Sequence, residues 1–355
     1  MQKHLTFFID SDLCVAKGFL QKFVNTRFAL AILSFYFRKK ITCMKIFTFL
    51  LLLSTPALAQ TITVKQAKKL SGEIVSCIKN NSIFSDSLNF KSMEEDFEQY
   101  ADTFQTYQSV GIYYTRQLRK VGDRHSFWVS RATMENFSKK QKDSLGFSYQ
   151  LLEGTIGYLN MPGFLSTDNN VVNEFANQIH NAIKELDSRN DITGWIVDLR
   201  NDNGGNMWPM VLGLNPLIGT DEIPGYFAGK QNTSLTDWKV TSPSNGVAIV
   251  TGYRVKKPAT KIAVLYGKKT ASSGEMTAIC FIGKPNCRSF GEPTGGFTTG
   301  NQIFNLSDDN IFVLASTYVL DRNKKMYTGS IIPDVLIEKS ADVNVMDEAR
   351  AWLKQ

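Results

Sequence analysis

Histidine and cysteine are scarce in this chain: three His and five Cys among 355 residues. No Cys/His cluster has the spacing of a zinc site, so neither a structural nor a catalytic metal is expected, and no cofactor motif appears. Long apolar runs are also missing. The best stretch, Ile46 to Leu53, is interrupted by Thr48 and falls short of the roughly 20 residues that cross a bilayer. Low-complexity tracts and internal repeats are absent as well. The formal charge of +7 suggests nucleic acid at first sight, but residues 1–59 hold eight Lys or Arg against two Asp or Glu. Subtracting them leaves 40 − 8 = 32 bases against 33 − 2 = 31 acids. The remainder is near neutral and has no basic stripe interleaved with aromatics, so no nucleic-acid partner is expected.

What the N-terminal region does contain has the layout of a secretory signal. Met44-Lys45 opens it, the apolar run follows, and Ala57-Leu58-Ala59 is a small-x-small cleavage site before Gln60. The expectation is a signal peptide over 44–59, an artefactual upstream extension over 1–43, and an exported protein, periplasmic or extracellular, without a stable membrane span after cleavage. The plainer alternative is an N-terminal anchor. Cys43 is not preceded by a small-residue lipobox, which gives a lipid anchor no support. Cys77, Cys280 and Cys287 remain after cleavage. In an oxidising compartment Cys280 and Cys287 could close a small disulfide loop; otherwise all three are buried thiols.

Residues 60–120 read as helical. Ala67, Leu70, Ile74 and Ile78 recur at helical spacing, and a second amphipathic stretch runs from Phe104 to Leu118. The pattern then changes. Thr155 to Met161 reads as a strand stopped by Pro162-Gly163, Val172 to Leu186 as a helix, and Gly194 to Leu199 as a buried strand. That order predicts a parallel unit in an α/β domain. Ile262 to Tyr266 is another apolar strand, followed by a polar turn and a helix over Ser273–Ile282. Gln302–Leu306 and Ile311–Ser316 flank Asp308-Asp309-Asn310 as a hairpin. Met207 to Thr260 is the least patterned part and reads as a lid or a substrate-facing insertion.

Three segments carry residues suited to chemistry. Thr270-Ala271-Ser272-Ser273-Gly274-Glu275 lies where a strand turns into a helix, so Ser272 stands beside free N–H groups and the positive end of the helix dipole. Asp198-Leu199-Arg200-Asn201-Asp202-Asn203-Gly204-Gly205 follows a buried strand, and paired glycines let backbone amides approach a bound group. Gly122-Asp123-Arg124-His125-Ser126 supplies an imidazole, the usual base for a serine hydroxyl. Taken singly they have plainer readings as a helix cap, a tight turn and a surface histidine.

Together, and in this order, the segments resemble the tail-specific or carboxyl-terminal processing peptidases and the tricorn core peptidases. Gly157, Tyr158 and Phe164, then Gly291-Glu292-Pro293-Thr294-Gly295-Gly296, then Ile332-Pro333-Asp334 complete the pattern across residues 121–336. The resemblance implies a crotonase-like α/β core over 121–340, after a helical domain at 60–120 and before a C-terminal helix at 341–355. It implies a peptide or protein substrate, Ser272 as nucleophile, and an oxyanion hole from the amides of Ser273, Gly204 and Gly205. A lysine base at the position the processing branch uses is excluded because Phe297 stands there, so the tricorn-like branch makes His125 the base. That branch's glutamate and relay serine are replaced by Tyr327 and Arg124, which leaves Asp123, Ser126 or Glu275 to orient the site. About 30 residues separate His125 from Gly157, too few for the PDZ module of roughly 90 that captures C-termini in many relatives. Two alternatives stay open: a non-hydrolytic binding protein, and a serine–lysine peptidase using Lys268, Lys269 or Lys284.

Overall fold

A computed structural model describes residues 61–142, 146–219, 221–230, 234–238, 252–337 and 344–355. The expected leader and the stretch before it lie outside the described residues, as does 239–251. Ile62 to Gln355 form one compact unit.

Three helices come first: α1 (Val64–Asn81), α2 (Phe90–Gln99) and α3 (Tyr107–Lys120). Thr63 starts α1 through a capping box, accepting from Gln66 N–H at 3.2 Å while its own N–H donates to Gln66 Oε1 at 2.9 Å. The periodic stripe Ala67, Leu70, Ile74 and Ile78 is buried, against Phe97 of α2 and Tyr114 and Leu118 of α3. Next come β1 (Phe127–Ser130), α4 (Arg131–Lys142), β2 (Ser148–Leu152), β3 (Ile156–Asn160), α5 (Asn169–Arg189) and β4 (Gly194–Asp198). The chain continues through α6 (Trp208–Gly213), α7 (Asn215–Ile218), β5 (Gly225–Ala228), β6 (Leu235–Asp237), β7 (Lys261–Tyr266) and α8 (Ser273–Ile279). It ends with β8 (Cys287–Gly291), β9 (Thr299–Asn305), β10 (Asn310–Asp321), β11 (Met326–Tyr327), β12 (Val335–Leu336) and α9 (Val345–Leu353).

The first sheet runs β12-β8-β7-β4-β3-β2, parallel throughout except for β2, which pairs antiparallel with β3. The central strands β4 and β7 are covered on both faces, so they read as unbroken apolar runs. Trp195, Val197, Ile262 and Val264 point to one core with α5, α6, α7 and α8. The alternating Ile196, Ala263 and Leu265 point to the other, beneath Ala349 and Leu353 of α9. The second sheet is antiparallel and built around the long β10, which pairs with β1, β5, β9 and β11. This is the expected α/β core with a helical N-terminal region. The hairpin expected around Asp308–Asn310 is the β9–β10 connection, with Ile311 opposite Asn305.

One expectation is corrected. Met207–Ile218, read as the start of a lid, instead forms α6 and α7, whose Met210, Val211, Leu214 and Ile218 are buried in the core shared with α5. Cys77, Cys280 and Cys287 are free, and Cys280 Sγ donates to Met276 O at 3.3 Å instead of bridging to Cys287. Among the described residues no helix is long and apolar enough to cross a membrane.

Candidate active site

The carboxyl ends of β4 and β7 lie side by side, with Asp198 opposite Leu265, and the loops leaving them meet. After β7, Thr270 ties the two loops together by donating to Leu199 O at 2.8 Å. Ser272 follows with φ 54° and ψ −117°, a conformation that an L-residue adopts at a cost of about 1–3 kcal/mol. The buried Glu275 holds it there: Oε2 accepts from Ser272 N–H at 2.9 Å and from Phe297 N–H at 2.7 Å. Oε1 accepts from Gly296 N–H at 2.8 Å and from the Thr294 hydroxyl. Burial raises the Glu275 pKa, and these four hydrogen bonds pull it back. Glu275 thus fastens the turn that carries Ser272 to the loop before β9.

The Ser272 hydroxyl meets His125 Nε2 at 2.9 Å, while the α8 amide of Glu275 takes the Ser272 carbonyl at 2.8 Å. Ser272 and Glu275 form a capping box at the head of α8, but capping alone does not explain the approach of the Ser272 hydroxyl to the imidazole. His125 and Ser272 are 147 positions apart, and the other ring nitrogen, Nδ1, lies 2.8 Å from Thr299 Oγ1 on β9. Thr299 is the residue that sequence reasoning missed.

Asp123 and Ser126, expected as orienting groups, do not touch the ring. The fully buried Asp123 accepts from the N–H groups of His125 and Ser126, both at 2.9 Å, and from the Ser126 hydroxyl. It builds the loop, and Arg119 of α3 braces that loop by donating to Ser126 O at 3.0 Å. Glu275 likewise acts on the turn of Ser272 and not on the imidazole. Phe297 packs edge-on against the ring with centroids 5.5 Å apart, and the Arg124 guanidinium lies over the Phe297 face. Burial pulls the His125 pKa down to about 4, although the Asp123 charge pushes the other way. The imidazole is therefore neutral at pH 7, the form that accepts a proton.

Gly204 and Gly205 have φ of 112° and 122°. A Cβ on Gly204 would sit 2.9 Å from Ser272 Cβ, and one on Gly205 would sit 1.9 Å from Phe164 O, so this loop can approach the serine only as glycine. The Gly204 amide must be removed from the expected oxyanion donors, because it donates to Asp202 Oδ1 at 3.1 Å. Among the described residues no acceptor faces the N–H of Gly205 or of Ser273. Two of the lysines considered as displaced bases are engaged elsewhere: Lys268 with Glu292 at 2.9 Å, and Lys284 with Glu222 at 3.0 Å and Ile218 O. Tyr327 donates to Asp321 at 2.9 Å. Among the described residues no group of three His, Cys, Asp or Glu is placed to hold a metal.

Residues 155–337 match peptidase family S41. The nisin-resistance protein of Lactococcus lactis subsp. lactis is 27% identical over 281 residues, covering 77% of this chain and 82% of that protein. A lipoprotein from Streptococcus agalactiae superposes with a TM-score of 0.70 at 25% identity, over 81% of this chain and 96% of its own. The photosystem II D1 C-terminal processing protease shares the fold alone, with a TM-score of 0.55 at 11% identity over 83% of this chain and 98% of its own.

Proposed function

Because this chain belongs to peptidase family S41, we propose that it is an exported serine endopeptidase that cleaves peptide bonds through an acyl-enzyme on Ser272. The observation that carries this reading is the 2.9 Å contact between the Ser272 hydroxyl and a neutral imidazole brought from 147 positions away. With Nδ1–H donating to Thr299 Oγ1, Nε2 is free to accept the Ser272 proton. Oγ then attacks the scissile carbonyl carbon. The oxyanion that forms is held by the N–H groups of Ser273 and Gly205 at the head of α8. Collapse breaks the C–N bond as the imidazolium gives its proton to the departing amine. Water, deprotonated by the same ring, then releases the acid and restores Ser272.

Between His125 and β3 the chain is occupied by β1, α4 and β2, so capture of substrate C-termini by a PDZ module at that place is not part of this reading. The likeness to a lipoprotein and the leader-like residues 44–59 support export. The Lactococcus relative is named for nisin resistance, so nisin is the first substrate to offer this chain.

A fluorophosphonate probe tests the assignment. The wild-type chain should be labelled, Ser272→Ala should not, and His125→Ala should react roughly 10³-fold more slowly or worse. Label persisting in Ser272→Ala contradicts the nucleophile. A folded wild-type chain that never labels is instead a binding protein on a peptidase scaffold.

A further inference from the structure

Asp202 is the buried acid of the site that the mechanism leaves unused. It is fully buried, at 0% exposure. Oδ1 accepts a single hydrogen bond, from Gly204 N–H, and Oδ2 has no partner among the described residues. Its main chain is as firmly placed as its side chain. Asp202 N–H donates to Leu199 O at 2.9 Å, and its carbonyl accepts from Ala271 N–H at 3.0 Å, one residue before the nucleophile. The first turn of α8 rests on it: a Cβ on Gly274 would lie 2.4 Å from Asp202 O and 2.8 Å from Asp202 Cγ. Asp202 is therefore wedged between the glycine loop and the Ser272 turn.

A carboxylate with one hydrogen bond and no cation is costly to bury. The charged groups on the surrounding elements are committed elsewhere. Glu275 of α8 holds the 294–297 loop, His125 faces Ser272 and Thr299, and Asp198 pairs with Arg200 at 2.6 Å. A negative charge here would also oppose the negative charge that develops on the substrate oxygen.

We propose that Asp202 is a positioning residue that sets Gly204-Gly205 against Ser272 and does so as an uncharged acid. This rests on the peptidase reading above. Burial raises the Asp202 pKa well above the usual carboxylate range, with the Gly204 hydrogen bond as a smaller opposing effect. The sign for stability follows. The unfolded chain loses this proton near pH 4 and the folded chain keeps it, so wild-type stability falls as pH rises until the folded group ionises. Asp202→Asn keeps an oxygen for Gly204 N–H and never ionises.

The test measures Tm and fluorophosphonate labelling of the wild type, Asp202→Asn and Asp202→Ala. The melting temperature of Asp202→Asn should rise relative to wild type, with the gap widening from about pH 4 to about pH 8. At neutral pH Asp202→Asn should label within about threefold of wild type, whereas Asp202→Ala, with Gly204 N–H orphaned, should slow about tenfold or more. A Tm gap that does not change with pH overturns the uncharged acid. An Asn variant that folds but reacts tenfold or more slowly overturns it too. If Asp202→Ala folds and labels like wild type, the positioning role is gone. Should Asp202→Ala not fold, the isosteric Asn variant decides on both measurements. A wild-type chain that never labels sinks the peptidase reading and the positioning role with it, while the Tm gap still decides the charge state.

Discussion

Among the described residues no carboxylate meets the far nitrogen of His125. Thr299 Oγ1 takes that position, and a hydroxyl can fix the tautomer and the ring plane but carries no charge to steady an imidazolium. Burial, helped by the edge of Phe297, works in the same direction by disfavouring the protonated ring. Arg119 adds to this effect, whereas the Asp123 charge and the hydrogen bond to Thr299 oppose it. The neutral ring is the reactive one, so the labelling rate of Ser272 should climb as pH rises through about 4 and level off well below neutrality. An unperturbed histidine would place that limb near pH ~6.5. Phe297→Ala admits water to the ring and should move the limb upward, toward the unperturbed value. Rate constants for fluorophosphonate labelling across the acid range measure both. A wild-type limb at or above the free-imidazole value would show that burial does not govern this base.

At the scale of elements, the site stands on connections that Glu275 makes between the Ser272 turn and the loop before β9. All four of its partners are donors, from Ser272, Thr294, Gly296 and Phe297. Glu275→Gln has nearly the same shape but turns one acceptor into a donor, leaving two of those groups facing an NH₂. Each orphaned donor costs about 1–3 kcal/mol. The expected result is a lower Tm together with slower labelling of Ser272, since the strained φ of Ser272 loses its tether. An unchanged Tm would show that the carboxylate is dispensable. The elements themselves were largely legible. Apolar runs marked β3, β4 and β7, a 3.6-residue stripe marked α1 and α5, and the turn after β7 pointed to Ser272. The short strands were not. Gly225–Ala228 carries no alternation of its own and becomes a strand between Leu235–Asp237 and Tyr318–Asp321, the latter far along the chain. Thr299 was hidden for a related reason. A β-branched residue in a polar strand looks like an ordinary strand former, and its partner His125 is 174 positions away. Asp123 misled because an acid beside a histidine in sequence need not face its ring.

At the scale of the whole molecule, the catalytic geometry depends on β10. Its first half pairs with β1, which follows directly on the His125 loop, and Ala315 N–H donates to Ser126 Oγ at 2.8 Å. β9 pairs along β10 as well, where Thr299 lies opposite Tyr318. The base and the group that orients it are thus held by one strand. Phe312 and Leu314 of that strand are buried among the side chains of α1, α2 and α3, so the helices and the sheet share a core. Truncating Phe312 to Ala should cost about 3–5 kcal/mol. Because the loss falls on a shared core, it should lower one cooperative transition and not release the helices early. Thermal melts of Phe312→Ala followed by far-ultraviolet circular dichroism, by tryptophan emission and by the loss of Ser272 labelling should coincide at a reduced Tm. If the helical signal melts first while labelling survives, the helices are a separate folding unit and β10 does not transmit their packing to the site.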